Sequence, residues 1–199
     1  DSAGTFRDTT LQSCVGDIYT ATSEIERLSG MLCGGILGLR LGADLAAVFL
    51  EKSKRPISLV MWEPIVNGPA YCNSLLRTAM ANELMNSGGK RKTRADFKRE
   101  LAEGGSVFVD GFPMSSQMFE SLEKVDLPTL GRPTPEPILV VEIKSRRNRP
   151  AKPAVSDLAE IYSAVGQLCV ESVVEPRVWM KTRSYRWRLE DLFTKTLEW

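Results

Sequence analysis

The sequence of 199 residues contains no histidine. That absence removes the side chain whose pKa near about 6.5 lets it take and return a proton at neutral pH. A Ser-His-Asp or Cys-His relay therefore cannot be assembled from these residues, nor can a Cys/His zinc site. Net charge is almost absent too, because 26 Lys and Arg face 25 Asp and Glu, leaving +1. Such a balance gives no global pull toward nucleic acid or a membrane surface. No apolar run is long enough to span a bilayer, since Arg40 and Asp44 interrupt the best candidate. No signal-peptide pattern opens the chain. The first residue is Asp rather than Met, and the expectation is that the natural N-terminus is missing. The four cysteines, Cys14, Cys33, Cys72 and Cys169, show no CxxC or other metal-ligand spacing. They read as small apolar residues, Cys33 in a strand and Cys14 and Cys169 in helices, of a protein in a reducing cytoplasm. The resulting expectations are no metal, no cofactor, no nucleic-acid partner, no membrane span and a cytoplasmic location.

What is present suits a globular α/β domain. The chain is 43% hydrophobic and 26% charged, enough for a buried core. Residues 8–28 carry Leu11, Val15, Ile18, Ile25 and Leu28 at helical spacing. Residues 31–37 are uncharged and apolar, as a strand buried on both faces would be. An Ala- and Leu-rich helix follows over 41–52, then an apolar strand over 57–62 that Pro64 stops. Strand, helix, strand at this spacing is a βαβ unit with parallel strands. Residues 67–112 differ in character. Asn67-Gly68-Pro69 signals a turn, helices are expected over 71–84 and 95–103, and 106–110 reads as a strand. This segment is taken as an inserted cap, leaving 1–66 and 113–199 as the core. In the core, a short helix is expected over 115–124 and a proline-rich loop over 127–137. A third strand follows at 138–143, a helix at 155–168, a last parallel strand at 170–174 and a closing helix at 189–197.

The chemistry concentrates at Gly38-Leu39-Arg40-Leu41-Gly42. A strand, a tight glycine-flanked turn and a helix are the setting in which hydrolases hold a serine as G-x-S-x-G. Here the central residue is arginine, which stays protonated and has no nucleophilic lone pair. Ser2, Ser58, Ser74, Ser115 and Ser116 do not sit at such a turn, and Ser115 reads as a helix cap. Arg40 at a helix N-terminus places a cation where anions are favoured, so a negative group must answer it. Two answers are open: an internal ion pair with Glu63, Asp110 or Glu142, or an external carboxylate or phosphate held bidentately. Trp62 and Trp179 are candidates for a cleft wall or for packing at the sheet rim, and Asn67 for a turn into the cap. The candidate anion-binding set is thus Leu39, Arg40, Trp62, Glu63, Asn67, Glu142 and Trp179. The basic runs Lys90–Arg94 and Arg146–Arg149 lack interleaved aromatics and read as solvated loops.

The elbow, Trp62-Glu63-Pro64-Ile65-Val66-Asn67-Gly68, Asp110-Gly111-Phe112-Pro113-Met114-Ser115, Asp1-Ser2-Ala3-Gly4 with Phe6, and Trp179 after Pro176 together carry a resemblance. Along nearly its whole length the chain resembles the exosortase A system-associated hydrolase 2 group of the α/β-hydrolase superfamily. The resemblance implies an α/β-hydrolase-like, mostly parallel sheet flanked by helices, with a small inserted cap. It implies that strands preceding Asp1 are missing, together with half of an oxyanion hole. Strand 31–37 would then lie at an exposed sheet edge, either covered by another chain, such as a second copy, or left open because the sequence is a fragment. The group accompanies bacterial machinery for surface-protein sorting and exopolysaccharide export, and an arginine at the elbow is a habit of the group. The expected function is binding of a small anionic ligand or an export-machinery protein without triad catalysis. An ester or acyl hydrolase with an unconventional site is the alternative.

Overall fold

The computed structural model describes residues 5–86, 92–144, 146, 150–164, 166–175 and 189–199. They form two compact units, one of residues 1–17 and 67–126, the other of 18–66 and 127–199. The segment 67–112 lies wholly within the first.

The first unit opens with a 3₁₀ turn at Phe6–Asp8 and the start of helix α1 (Leu11–Ser29). It continues with α3 (Gly68–Asn86), α4 (Arg94–Ala102), strands β3 (Ser106–Val109) and β4 (Phe112–Ser115), and α5 (Ser116–Glu123). Three side-chain caps fix its helices. Asn67 Oδ1 accepts from the Ala70 amide at 2.9 Å, Thr93 and Asp96 form a reciprocal capping box, and Ser115 Oγ accepts from the Met118 amide at 3.3 Å. Strand β4 departs from the sequence reading, which had one strand at 106–110. Asp110 and Gly111, at φ 53° and 89°, make the two-residue turn that returns the chain. Asp-Gly between apolar runs is the sequence signal for that hairpin.

The second unit holds a four-stranded, all-parallel sheet in the order β1-β2-β5-β6. Its strands are β1 (Gly35–Leu39), β2 (Ser58–Trp62), β5 (Ile138–Lys144) and β6 (Leu168–Val174). Helix α2 (Leu41–Ser53) joins β1 to β2, and α7 (Pro153–Ser163) joins β5 to β6. Both crossovers run the same way along the sheet, and right-handed crossovers then place both helices on one face. Helix α8 (Glu190–Glu198) covers the other, where Leu192 packs with Val60, Trp62, Leu139, Val141, Ile143 and Val173. A short α6 (Leu127–Leu130) interrupts the expected loop. Strand β5 is buried except at its last residue because it has a strand on each side and a helix layer on each face. This is the α/β sheet flanked by helices that the sequence implied.

The first strand starts later than residues 31–37 suggest. Pairing with β2, from Gly35 with Ser58 to Leu39 with Trp62, draws the elbow residues Gly38 and Leu39 into the strand. Met31 and Leu32 precede it and are exposed. Among the described strands β1 is an edge, and Leu37 is 49% exposed. The cysteine placements shift as well: Cys169 lies in β6 and half-buried Cys33 in the loop before β1. Leu168, expected at a helix end, opens β6.

The two glycines flanking the elbow do different things. A Cβ on Gly38 would lie 2.4 Å from the Gly42 carbonyl oxygen and 2.5 Å from Ala43 backbone atoms, whereas a Cβ on Gly42 would meet nothing within 4 Å. Helix α2 therefore closes onto the strand only because residue 38 has no side chain. Gly38→Ala is expected to destabilise by about 1–3 kcal/mol or to open the turn. Gly42→Ala, inside a helix, is expected to be neutral or to stabilise by up to about 1 kcal/mol. Urea melts of the two variants check the contrast; equal losses would contradict it.

Candidate functional site

The parallel register brings five of the expected residues to one end of the sheet. Leu39, Trp62 and Val141 lie in one row across β1, β2 and β5, and Arg40, Glu63 and Glu142 follow one residue on. Arg40 adopts φ 54° and ψ −125°, a conformation that L side chains rarely hold. The surrounding structure imposes it. The Arg40 amide donates to the Trp62 carbonyl at 2.9 Å, and the Arg40 carbonyl accepts from the Ala43 amide at 2.9 Å. Strain of this kind costs on the order of 1–3 kcal/mol and survives only where neighbours fix the backbone. The Arg40 side chain, half-buried, donates from Nη1 to the Glu63 carbonyl at 3.5 Å.

The carboxylates near the elbow have other engagements. Glu63, 2% exposed and at φ 48°, forms an ion pair with Lys152 and accepts from the Ile143 amide at 2.8 Å. Glu142, also 2% exposed, accepts from the Lys152 amide at 2.9 Å and lies 3.7 Å from Lys144 Nζ. Two buried acids thus share the Lys152 residue, one through its ammonium and one through its backbone. Burying such charges is tolerable only with this degree of pairing. Asp110 belongs to the first unit, where the Asn82 amide donates to it at 3.4 Å.

Arg40 also acts on the charge of Asp44, one turn into α2 and fully buried. Asp44 Oδ2 accepts from the Ile65 amide at 3.1 Å, and Oδ1 from the Val66 amide at 3.2 Å. It clasps a linker that holds two more non-glycine residues at positive φ, Glu63 at 48° and Val66 at 69°. Burial drives the Asp44 carboxyl up to about 7, against the opposing pull of the two amides and Arg40. Tyr162 of α7, also fully buried, is raised by burial first and by the Asp44 charge second. Its hydroxyl finds no hydrogen-bond partner among the described residues.

The remaining expected residues separate from this cluster. Trp62 points to the opposite face, its ring edge-on to Phe193 at 5.6 Å and its Nε1 donating to Thr196 at 3.0 Å. It is packing at the sheet rim. Asn67 belongs to the first unit as a helix cap. Trp179 lies outside the described residues. Asp44 and Lys152 were missed as site residues. An acid four residues beyond Arg40 in the first helical turn was a visible signal for the first; Lys152, after an aperiodic stretch, had none. Of the basic runs, Lys92 pairs with Glu100 at 2.9 Å and Arg94 donates to Asn73. Among the described residues no group of three or more His, Cys, Asp and Glu could hold a metal, and no helix is long and apolar enough to cross a membrane.

A parallel sheet with a glycine-flanked, strained strand–turn–helix at its carboxyl end is the α/β-hydrolase fold, and solved structures agree. The chain is similar to Est1E from Butyrivibrio proteoclasticus, solved with ferulic acid bound, at TM-score 0.63 and 12% identity, covering 96% of this chain and 68% of that one. It is similar to the α/β hydrolase GrgF from Penicillium sp. sh18 at TM-score 0.53 and 15% identity, covering 96% and 72%. A highly thermostable carboxyl esterase from Bacillus coagulans, in complex with glycerol, matches at TM-score 0.53 and 11% identity, covering 96% and 70%. Identities this low speak to fold alone. No protein-family model matches the chain, and no curated protein matches it in sequence.

The raised Asp44 carboxyl has a consequence for stability. With a folded-state value near 7 and an unfolded value near 3.8, the folded chain holds the extra proton between those limits. Stability therefore falls as pH rises through that window and is level, for this group, above it. Asp44→Asn is expected to remove this part of the slope. Melting curves from pH 4 to 8 check it; an identical slope in the variant would show that Asp44 is not its source.

Proposed function

We propose that this α/β-hydrolase-fold chain binds an anionic group at Arg40 and does not hydrolyse it by a triad. The observation that carries the reading is the elbow itself. Strain and two backbone bonds present residue 40 at a helix N-terminus, and that residue is a permanent cation with partial exposure. Helix N-terminal amides and a guanidinium reinforce one another toward carboxylate or phosphate. The absence of histidine supports the non-catalytic half, because no neutral-pH proton shuttle accompanies the elbow. Residues resembling the exosortase-associated hydrolases support a setting beside bacterial surface-protein sorting and exopolysaccharide export, where the anion belongs to a ligand or to a protein partner.

An ester or acyl hydrolase with an unconventional site is the second reading, favoured by fold neighbours that include a carboxyl esterase. The two separate cleanly. A fluorophosphonate probe and p-nitrophenyl esters are expected to give no more labelling or turnover than heat-denatured protein. Robust labelling that persists in Arg40→Ala would overturn the non-catalytic reading. For binding, ferulate, benzoate and sulfate are the first anions to try, since one fold neighbour was solved with ferulic acid. At roughly ten times Kd a bound anion should raise Tm by about 3–6 °C in the wild type. It should leave Arg40→Ala unmoved, and equal shifts in both would remove Arg40 as the anchor.

A further inference from the structure

We propose that anion binding at Arg40 is coupled to uptake of one proton by Asp44. This rests on the anion-binding reading above and adds its regulation. Asp44 sits one turn beyond Arg40 on α2, fully buried, its two carboxylate oxygens taken by the Ile65 and Val66 amides and its charge felt by the arginine. An anion at half-buried Arg40 would set a second negative charge beside the fully buried one of Asp44. The cheapest relief is to neutralise the group that can be neutralised, and a buried carboxylate can.

The neighbours of Asp44 favour that outcome. Arg40 of its own elbow acts on its charge, and its charge acts in turn on Tyr162 of α7, whose carbonyl accepts from Arg132 at 2.7 Å. Strands β1 and β2 and helix α6, whose residues are GILGL, SLVMW and LPTL, bring no titratable side chain to it. The Tyr162 hydroxyl is buried and unpartnered among the described residues, so it adds no ion pair that would hold Asp44 charged. The Ile65 and Val66 amides, more than Arg40, stabilise the ionised form, and each sits in the strained linker. Burial sets the carboxyl near 7, so a modest push from a bound anion changes its protonation at neutral pH.

The coupling also reaches the backbone. Protonation costs Asp44 much of its strength as a double acceptor, so the clasp on Ile65 and Val66 slackens as the anion binds. Val66 further accepts from the Leu127 amide at 3.1 Å, which ties the outgoing linker to the returning chain. Anion binding should therefore register at residues 65, 66 and 127 as well as at Arg40.

The test is an NMR titration of the intact chain with sulfate, which does not change charge between pH 6 and 8.5, with benzoate as the carboxylate arm. For wild type, Kd is expected to weaken about tenfold from pH 6.5 to 8.5, with amide shifts at Ile65, Val66 and Leu127 on binding. In Asp44→Asn, Kd is expected to be the same across that range. A Kd in wild type that does not vary with pH, or a variant that keeps the full pH dependence, would overturn the coupling while leaving the anion site standing. An absence of Arg40-dependent binding at any pH would overturn the site and the coupling together. Should Asp44→Asn fail to fold, the carbon-13 shift of the wild-type Asp44 carboxyl decides. Its midpoint must move up when sulfate is added, and an unmoved midpoint rejects the proposal.

Discussion

A carboxylate buried out of reach of water holds the backbone amides of Ile65 and Val66, and the shape of the second unit around the elbow depends on it. Without that acceptor the two amides would be unsatisfied in the interior, which costs about 1–3 kcal/mol each. The linker could then relax from its positive φ values at Glu63 and Val66. Glu63 would lose the backbone setting that aims its side chain at Lys152 and the Ile143 amide. The Glu63 carbonyl, which accepts from Arg40, would move with it. Asp44 therefore positions the far side of the site from beneath the near side. Burial works against its charge, and the Ile65 and Val66 amides and, to a lesser degree, Arg40 offset only part of that cost.

The ends of the strands carry an unusual density of buried charge for a sheet whose strands are otherwise apolar. Glu63 and Glu142 are each almost fully enclosed and both depend on Lys152, while Lys144 adds a weaker partner for Glu142. Breaking such a pair by removing one member leaves an uncompensated charge, which is far costlier than never having had the pair. The cluster is thus rigid by necessity, and it walls one side of the elbow with groups already committed to each other. Arg40 adjoins that set through the Glu63 carbonyl and is half-buried.

Much of the sheet was legible because parallel strands buried on both faces read as uninterrupted apolar runs, as residues 58–62 and 138–143 do. The elbow was legible because only glycine fits at residue 38. The start of β1 was misplaced since Met31 and Leu32 are as apolar as the strand itself; pairing with β2, which periodicity cannot see, chose the register. The hairpin at Asp110-Gly111 was overlooked although its turn residues announce it. At the site, sequence reasoning found Arg40, Glu63 and Glu142 and left open whether one of these acids, or Asp110, or an external anion answered the arginine. The third dimension assigns Lys152 to the two acids, across a loop that no local pattern encodes, and sets the Asp44 charge within reach of the arginine four residues before it, a spacing the sequence did display.

The elbow strain has a bearing on how the chain comes apart. The unusual backbone of Arg40 is held on its carbonyl side by the Ala43 amide and on its amide side by Trp62, on the neighbouring strand. Strand β1 is at the edge of the described sheet and is paired on that one side alone. Detachment of β1 and relaxation of residue 40 are therefore a single event, and the stored strain pushes in the direction of release. Partial unfolding should begin at this corner, with the first turn of α2 fraying as the strand leaves, while β5, paired on both sides, opens last.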